Sequence, residues 1–221
     1  MPNLGVTMMR GQTAPGDMLV KINTGGIISR IISRASDSKF VHGGLAVGQS
    51  RVIEVNGGLS PDNLGNGRLL ANIYMTSLFS PDLRKESYVC YRCTDTDLAT
   101  QVAIEAYPFA RQGYDKRWGY DVGSAIASTP IWQRLFGTPP TATGQYLYID
   151  ENESVLAAAN RECREWFCTQ WMVWMYFKTA EKLRKGFSFP LQPRVAYPGA
   201  LVDALDHSSS FTYMGVIGKI G

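Results

Sequence analysis

Val41-His42-Gly43-Gly44-Leu45-Ala46-Val47-Gly48, followed after a short break by Arg51-Val52-Ile53-Glu54-Val55, decides how this chain is read. Both runs are rich in β-branched and apolar residues and have strand-like lengths. Gly48-Gln49-Ser50 between them is turn-forming, so the pair reads as two strands around a tight turn. The hairpin holds one of the chain's two histidines and a glutamate set inside an apolar strand. A carboxylate there is costly to bury unless it is paired or faces a cleft, and orienting His42 would give it a reason. Taken alone, His42 reads first as a strand-end cap. The two glycines after it let another segment or a substrate come close. A plain hairpin does not join the two side chains. With a three-residue turn they share a sheet face but lie about four residues, roughly 13 Å, apart along the ladder. With a two-residue turn they fall on opposite faces. A bend at Gly43-Gly44 or a β-bulge is needed to unite them.

A histidine base implies a nucleophile within hydrogen-bond reach. Cys168 lies in Glu165-Trp166-Phe167-Cys168-Thr169-Gln170-Trp171-Met172-Val173-Trp174 and heads a helical pattern over Cys168–Lys182. If the helix begins there, unpaired amides and the positive end of the dipole favour the thiolate, and the Cys168 amide is a natural oxyanion donor. If a helix runs unbroken from Glu153, Cys168 is an ordinary buried helical cysteine and that argument fails. The stripe Trp171, Met172, Met175 and Phe177 reads as core. Four cysteines (Cys90, Cys93, Cys163 and Cys168) do not make a disulfide scaffold in 221 residues. Cys90-Tyr91-Arg92-Cys93 has metal-like spacing but no second Cys or His pair nearby, so it reads as structural. His207 sits in a polar loop and reads as solvated.

Working outward, Asp17–Ile22 and Ser87–Arg92 read as strands, and Gly25–Arg34 shows helical spacing. Gly57–Asn66 reads as loop, and Asp95–Arg111 as a helix capped by Thr94 or Asp95. Residues 113–150 hold several Pro, Gly and Thr and read as a flap or insertion. Glu153–Glu162 reads as helix, Leu191–Tyr197 as a Pro-bounded loop, Gly199–Asp206 as a short helix and Phe211–Ile217 as a last strand. Strands first, a main helix late and antiparallel hairpins predict an α+β fold. With 45% hydrophobic residues and no internal repeat, residues 1–221 form a single domain around one core.

The net charge of +3 is too small for a nucleic-acid footprint. The cluster Lys182-Leu183-Arg184-Lys185 reads as a solvated helix C-terminus whose cations face the negative end of the dipole. The apolar run 166–177 is too short to span a bilayer and carries Gln170. Residues 1–18 show no apolar run behind a basic start, so no secretory signal is expected. Work outside the cytoplasm would then require a dedicated export machine.

Taken together, Gly16-Asp17-Met18-Leu19-Val20, His42-Gly43-Gly44-Leu45-Ala46-Val47-Gly48 with Val52-Ile53-Glu54, and the late Phe167-Cys168-Thr169-Gln170 resemble the circularly permuted branch of the NlpC-type cell-wall peptidase superfamily. Gly113-Tyr114-Asp115 and Tyr197-Pro198-Gly199-Ala200-Leu201 are also similar to that branch. There the histidine and its polar partner come first and the cysteine late, and the twelve-residue step from His42 to Glu54 matches. The branch often has Ser-Glu after its cysteine, where this chain has Thr169-Gln170.

The resemblance implies a papain-like core, an antiparallel sheet packed on the helix that bears the nucleophile. It implies Cys168 as nucleophile, His42 as base and then acid, and Glu54 as the orienting group. Tyr114, Tyr120 and Gly43 would border the substrate. The implied reaction is cleavage of an amide bond in peptidoglycan stem peptides, with no cofactor. An enzyme of that kind could be an exported antibacterial effector met by an immunity protein. Relatives of the same fold, including the lecithin:retinol acyltransferase group, suggest a lipid ester or thioester as the alternative substrate. A non-enzymatic binding module is the third reading, and the intact set of His42, Glu54 and Cys168 argues against it.

Overall fold

The hairpin forms, and it lies inside a larger curled sheet. The computed structural model describes residues 2–23, 33–34, 37–57, 71–116, 119–120, 165–166, 168–193 and 196–218. Nine strands lie among them: β1 (Thr7–Met8), β2 (Met18–Ile22), β3 (Phe40–Gly48), β4 (Arg51–Gly57), β5 (Ala71–Ser77), β6 (Tyr88–Cys93), β7 (Gly119–Tyr120), β8 (Glu165–Trp166) and β9 (Phe211–Ile217). Seven form one sheet in the order β1-β9-β6-β2-β3-β4-β5. The short strand β1 runs parallel to β9, which makes the sheet mixed; its other neighbours are antiparallel. β7 and β8 make a separate parallel pair. Three helices are described: α1 (Thr96–Lys116), α2 (Cys168–Lys182) and α3 (Pro198–His207).

Both faces of the central strands are buried, which is why β2 begins Met18-Leu19-Val20 with no polar alternation. On one face Met18, Val20, Leu45, Ile53 and Val89 pack against the helices through Val102, Phe109, Trp171 and Trp174. Phe109 of α1 and Trp171 of α2 stack at 5.3 Å, joining the two helices over the sheet. On the other face Leu19, Val52, Tyr88, Cys90 and Ile217 gather with Met8, Leu78 and Leu83 in a smaller cluster. Each fully buried large apolar side chain contributes about 1.5–3 kcal/mol. Cys90 and Cys93 belong to different clusters, one on each face, so they do not act as a pair.

Several elements depart from the reading of the sequence. β5 was not legible: Asn72 and Thr76 interrupt its apolar pattern, and seven consecutive pairings with β4 make it a strand. α1 starts as expected, with Asp95 Oδ1 accepting from Leu98 N at 2.9 Å. It runs past Arg111 to Lys116, so residues 113–116 are its last turn and not part of a flap. A glycine inside a helix costs about 1 kcal/mol. Gly113 does not end a helix already anchored by Leu98, Val102, Ala106 and Phe109. The basic cluster does end α2, but it is not merely solvated. Lys182 Nζ lies 2.7 Å from Glu105, and Lys185 Nζ donates to both oxygens of Asp95, tying α2 to α1. His207 is exposed, as expected, but it is the last residue of α3 and not part of a loop. Most of the 25–34 pattern and of the 57–66 loop, the rest of 113–150 apart from β7 and the 153–162 helix fall outside the described residues.

α2 can approach β3 because Gly43 has no side chain. A Cβ there would stand 2.6 Å from Thr169 Cγ2 and 2.8 Å from Met172 Sδ, closer than atoms pack. Gly48, farther along the same strand, has nothing within 4 Å of such a position. Gly43→Ala should therefore destabilise by about 1–3 kcal/mol, lowering Tm by at least ~2 °C, whereas Gly48→Ala should stay within about 0.5 kcal/mol. Thermal unfolding followed by circular dichroism measures both; equal Tm values for the two variants would mean that α2 does not press on Gly43.

Candidate active site

Two irregularities in β3 shape the site. Gly48 pairs with Arg51, leaving Gln49-Ser50 as a two-residue turn, and Ser50 has the positive φ of 61° that such turns use. Continued without interruption, that register would set His42 and Glu54 on opposite faces. The next pair is Ala46 with Val52, so β3 advances two residues while β4 advances one. Val47 is the extra residue, a β-bulge. Beyond it Gly44 pairs with Glu54, and His42, two residues along, shares their face. The offset along the ladder falls to two residues. A second bulge precedes the histidine: Lys21 pairs with His42 but Ile22 with Phe40, which makes Val41 the extra residue.

Gly44 completes the approach. A Cβ there would meet Val52 Cγ2 at 2.7 Å and Glu54 Cγ at 3.0 Å, so the glutamate lies over the space a side chain would fill. Glu54 Oε1 then lies 3.8 Å from His42 Nε2. This is an ion-pair distance and not yet a hydrogen bond. Among the described residues Nε2 has no hydrogen-bond partner. Glu54 is 1% exposed, and its Oε1 accepts from the Tyr88 hydroxyl at 3.2 Å.

α2 does begin at Cys168, after the short strand β8, so the thiol occupies the first turn of a fifteen-residue helix. The contact between Gly43 and Thr169 sets their neighbours, His42 and Cys168, side by side, and the thiol hydrogen-bonds the imidazole. Thr169 Oγ1 donates to the carbonyl of Ala196, just before α3, which fixes the start of α2. Cys168 is 4% exposed and the His42 side chain 13%, so the ring is the more open of the two.

Burial by itself pulls the pKa of His42 down. The negative charge that Cys168 carries as thiolate, its hydrogen bond to the ring and the Glu54 carboxylate together outweigh that, with Lys21 opposing, and the pKa stands above the ordinary value. A thiol hydrogen-bonded to a ring whose pKa is raised is the arrangement that nucleophilic cysteine chemistry uses.

Three of the expected site residues are thus brought together: Cys168, His42 and Glu54. Gly43 touches the helix through Thr169 and Met172, so the close approach it permits is made by α2. Tyr114 lies in the last turns of α1 and Tyr120 in β7; their side chains lie outside the described residues. Tyr88 was missed as a site residue. Its only signal was position, a tyrosine at the start of an apolar strand. Buried Asp17, just before β2, pairs with the partly exposed Arg92 of β6 (Nη2 to Oδ2, 2.8 Å) and also accepts from Ala14 N. Among the described residues no three His, Cys, Asp or Glu side chains gather as a metal site would need. No helix there is long and apolar enough to cross a membrane. No family model matches the chain, and no curated protein matches it significantly.

Because the folded pKa of His42 is raised, its contribution to stability is fully present below the unfolded value of ~6.5. That contribution fades as pH rises through the folded value. In the wild type the ring should titrate above ~6.5 by NMR. Cys168→Ala removes both cysteine contributions and leaves burial, the largest effect, against Glu54. The midpoint should then fall below ~6.5. An unchanged midpoint would show that the thiol does not act on the ring.

Proposed function

We propose that the protein is a cysteine-nucleophile hydrolase cleaving an amide bond in peptidoglycan stem peptides, built as a circularly permuted papain-like domain. The observation that carries the chemistry is the Cys168 thiol at the first turn of α2, hydrogen-bonded to an imidazole whose pKa is raised. The substrate class and the papain-like assignment are supported by the resemblance of the His42–Glu54 and Cys168 segments to the permuted NlpC-type branch.

In this reaction Cys168 Sγ attacks the scissile carbonyl carbon, and the electron pair of the C=O moves to oxygen. Backbone amides at the start of α2 are the donors for that oxyanion. His42, as imidazolium, gives its proton to the leaving nitrogen as the C–N bond breaks, which leaves a thioester. Water, deprotonated by His42, attacks the thioester. The C–S bond breaks, the acid product leaves and the thiol–imidazole pair is restored. Glu54 orients the ring and stabilises its charge. Each of these groups comes from this chain, and no cofactor enters.

A cell-wall substrate places the working enzyme outside the cytoplasm. The proposal therefore includes export by a dedicated machine and, for an antibacterial effector, protection of the producer by an immunity protein.

Incubated with purified sacculi, the wild type should release smaller muropeptides. Cys168→Ala should release none, and His42→Ala should lower the rate about 10³-fold or more. Release by Cys168→Ala at the wild-type rate would remove the nucleophile. Cys168-dependent release of fatty acid from phospholipid vesicles, with sacculi untouched, would move the substrate to an acyl lipid.

A further inference from the structure

Tyr88 opens β6 with its side chain fully buried. In the sheet β6 and β4 are separated by β2 and β3, so a flat sheet would place Tyr88 about 14 Å from Glu54. Three features close that distance. The sheet curls, Tyr88 and Val52 belonging to the same small cluster on one face. The bulge at Val47 turns Glu54 onto the face of His42. Gly44 leaves empty the position over which Glu54 lies. The phenol hydroxyl ends 3.2 Å from Glu54 Oε1, the same oxygen that faces His42 Nε2 at 3.8 Å.

We propose that Tyr88 is a positioning residue of this site: its hydroxyl, donating to Glu54 Oε1, keeps that oxygen aimed at the His42 ring. The proposal rests on the reading of Cys168 as nucleophile and His42 as base. A carboxylate that accepts a hydrogen bond is favoured in its charged form, and burial disfavours that form. Glu54 is 1% exposed, so the Tyr88 hydroxyl supplies a hydrogen bond to Oε1 where water has little access. An anion there favours imidazolium, and imidazolium favours the thiolate. Tyr88 thus acts on Cys168 through two intermediate side chains and touches neither sulfur nor substrate.

Other charged groups face this chain of contacts. Lys21 of β2 pairs in register with both His42 and Tyr88 and is held by Glu86 at 2.8 Å. Arg10 lies near Tyr88 and donates through Nη2 to the carbonyls of Arg84 and Glu86. Asp17 and Arg92 form their own pair. Lys21 opposes a charged His42, and Arg10 interacts with Tyr88 and Glu86.

The test is the rate of Cys168 alkylation by iodoacetamide against pH, which needs no knowledge of the substrate. Wild type, Tyr88→Phe, Glu54→Gln and the double variant are compared, with folding checked by circular dichroism. Tyr88→Phe should move the acid limb to higher pH by roughly 0.5–1 unit, about three- to tenfold in rate on that limb. Glu54→Gln should move it in the same direction and at least as far, and adding Tyr88→Phe to Glu54→Gln should move it no further. On the substrate, Tyr88→Phe should lower kcat with KM unchanged. An unmoved acid limb in Tyr88→Phe, or shifts that add in the double variant, would overturn the proposal. If the single variant does not fold, the double variant decides, since its acid limb must coincide with that of Glu54→Gln. A wild type with no Cys168-dependent hydrolysis defeats the hydrolase reading instead, while the alkylation series still decides the role of Tyr88.

Discussion

The contact between Gly43 and the first turn of α2 is the constraint on which the rest of the site depends. A helix carrying a thiol at its first residue is useful only if a base can be brought to it, and the base lies on a strand 126 residues earlier in the chain (168 − 42). Glycine at position 43 removes the atoms that would hold the helix away. Thr169 and Met172 fill the vacancy, and His42 and Cys168, one residue to either side of the contact, meet as a consequence. Trp171 and Trp174, buried on the same helix, supply the apolar area that keeps it pressed to the sheet.

The second constraint is register. A side-chain period of two makes every strand pairing a choice between faces. The two-residue turn at Gln49-Ser50 would set His42 and Glu54 on opposite faces, and the bulge at Val47 reverses that. Val41 adds a second distortion beside His42. Bulges gather beside functional side chains because they re-aim them at little cost to the remaining ladder. Here one extra residue decides whether Glu54 meets His42 or faces the opposite cluster, and Gly44 then lets the carboxylate lie down across its neighbour.

How much of this was legible follows from the range of each interaction. The hairpin, β2, β6, the start of α1, the whole of α2 and α3 were readable because period, capping and apolar runs are local signals. A cap at Thr94 or Asp95 and a helical period over Cys168–Lys182 are of that kind, whereas the structure decides that Asp95 caps α1 and that α2 begins at Cys168. β5 was not readable, since Asn72 and Thr76 break its pattern and its identity comes from β4. The end of α1 was read too early because Gly113 carries a local cost that packing elsewhere on the helix outweighs. At the site, the types of Cys168, His42 and Glu54 could be picked out, and the need for a bulge could be stated. Which residue bulges could not, because that depends on pairing across three strands. Tyr88 was invisible for the same reason: its hydroxyl finds Glu54 over two intervening strands.

The central claim is that the late thiol and the early imidazole form one ion pair. It is tested most directly by the ultraviolet absorbance of the thiolate, taken as the difference between wild type and Cys168→Ala over a pH titration. The account predicts a thiolate signal already present well below the ordinary cysteine pKa of ~8.5, and its loss from that range in His42→Ala. A signal that emerges only at or above ~8.5, and that is the same with and without His42, would contradict it.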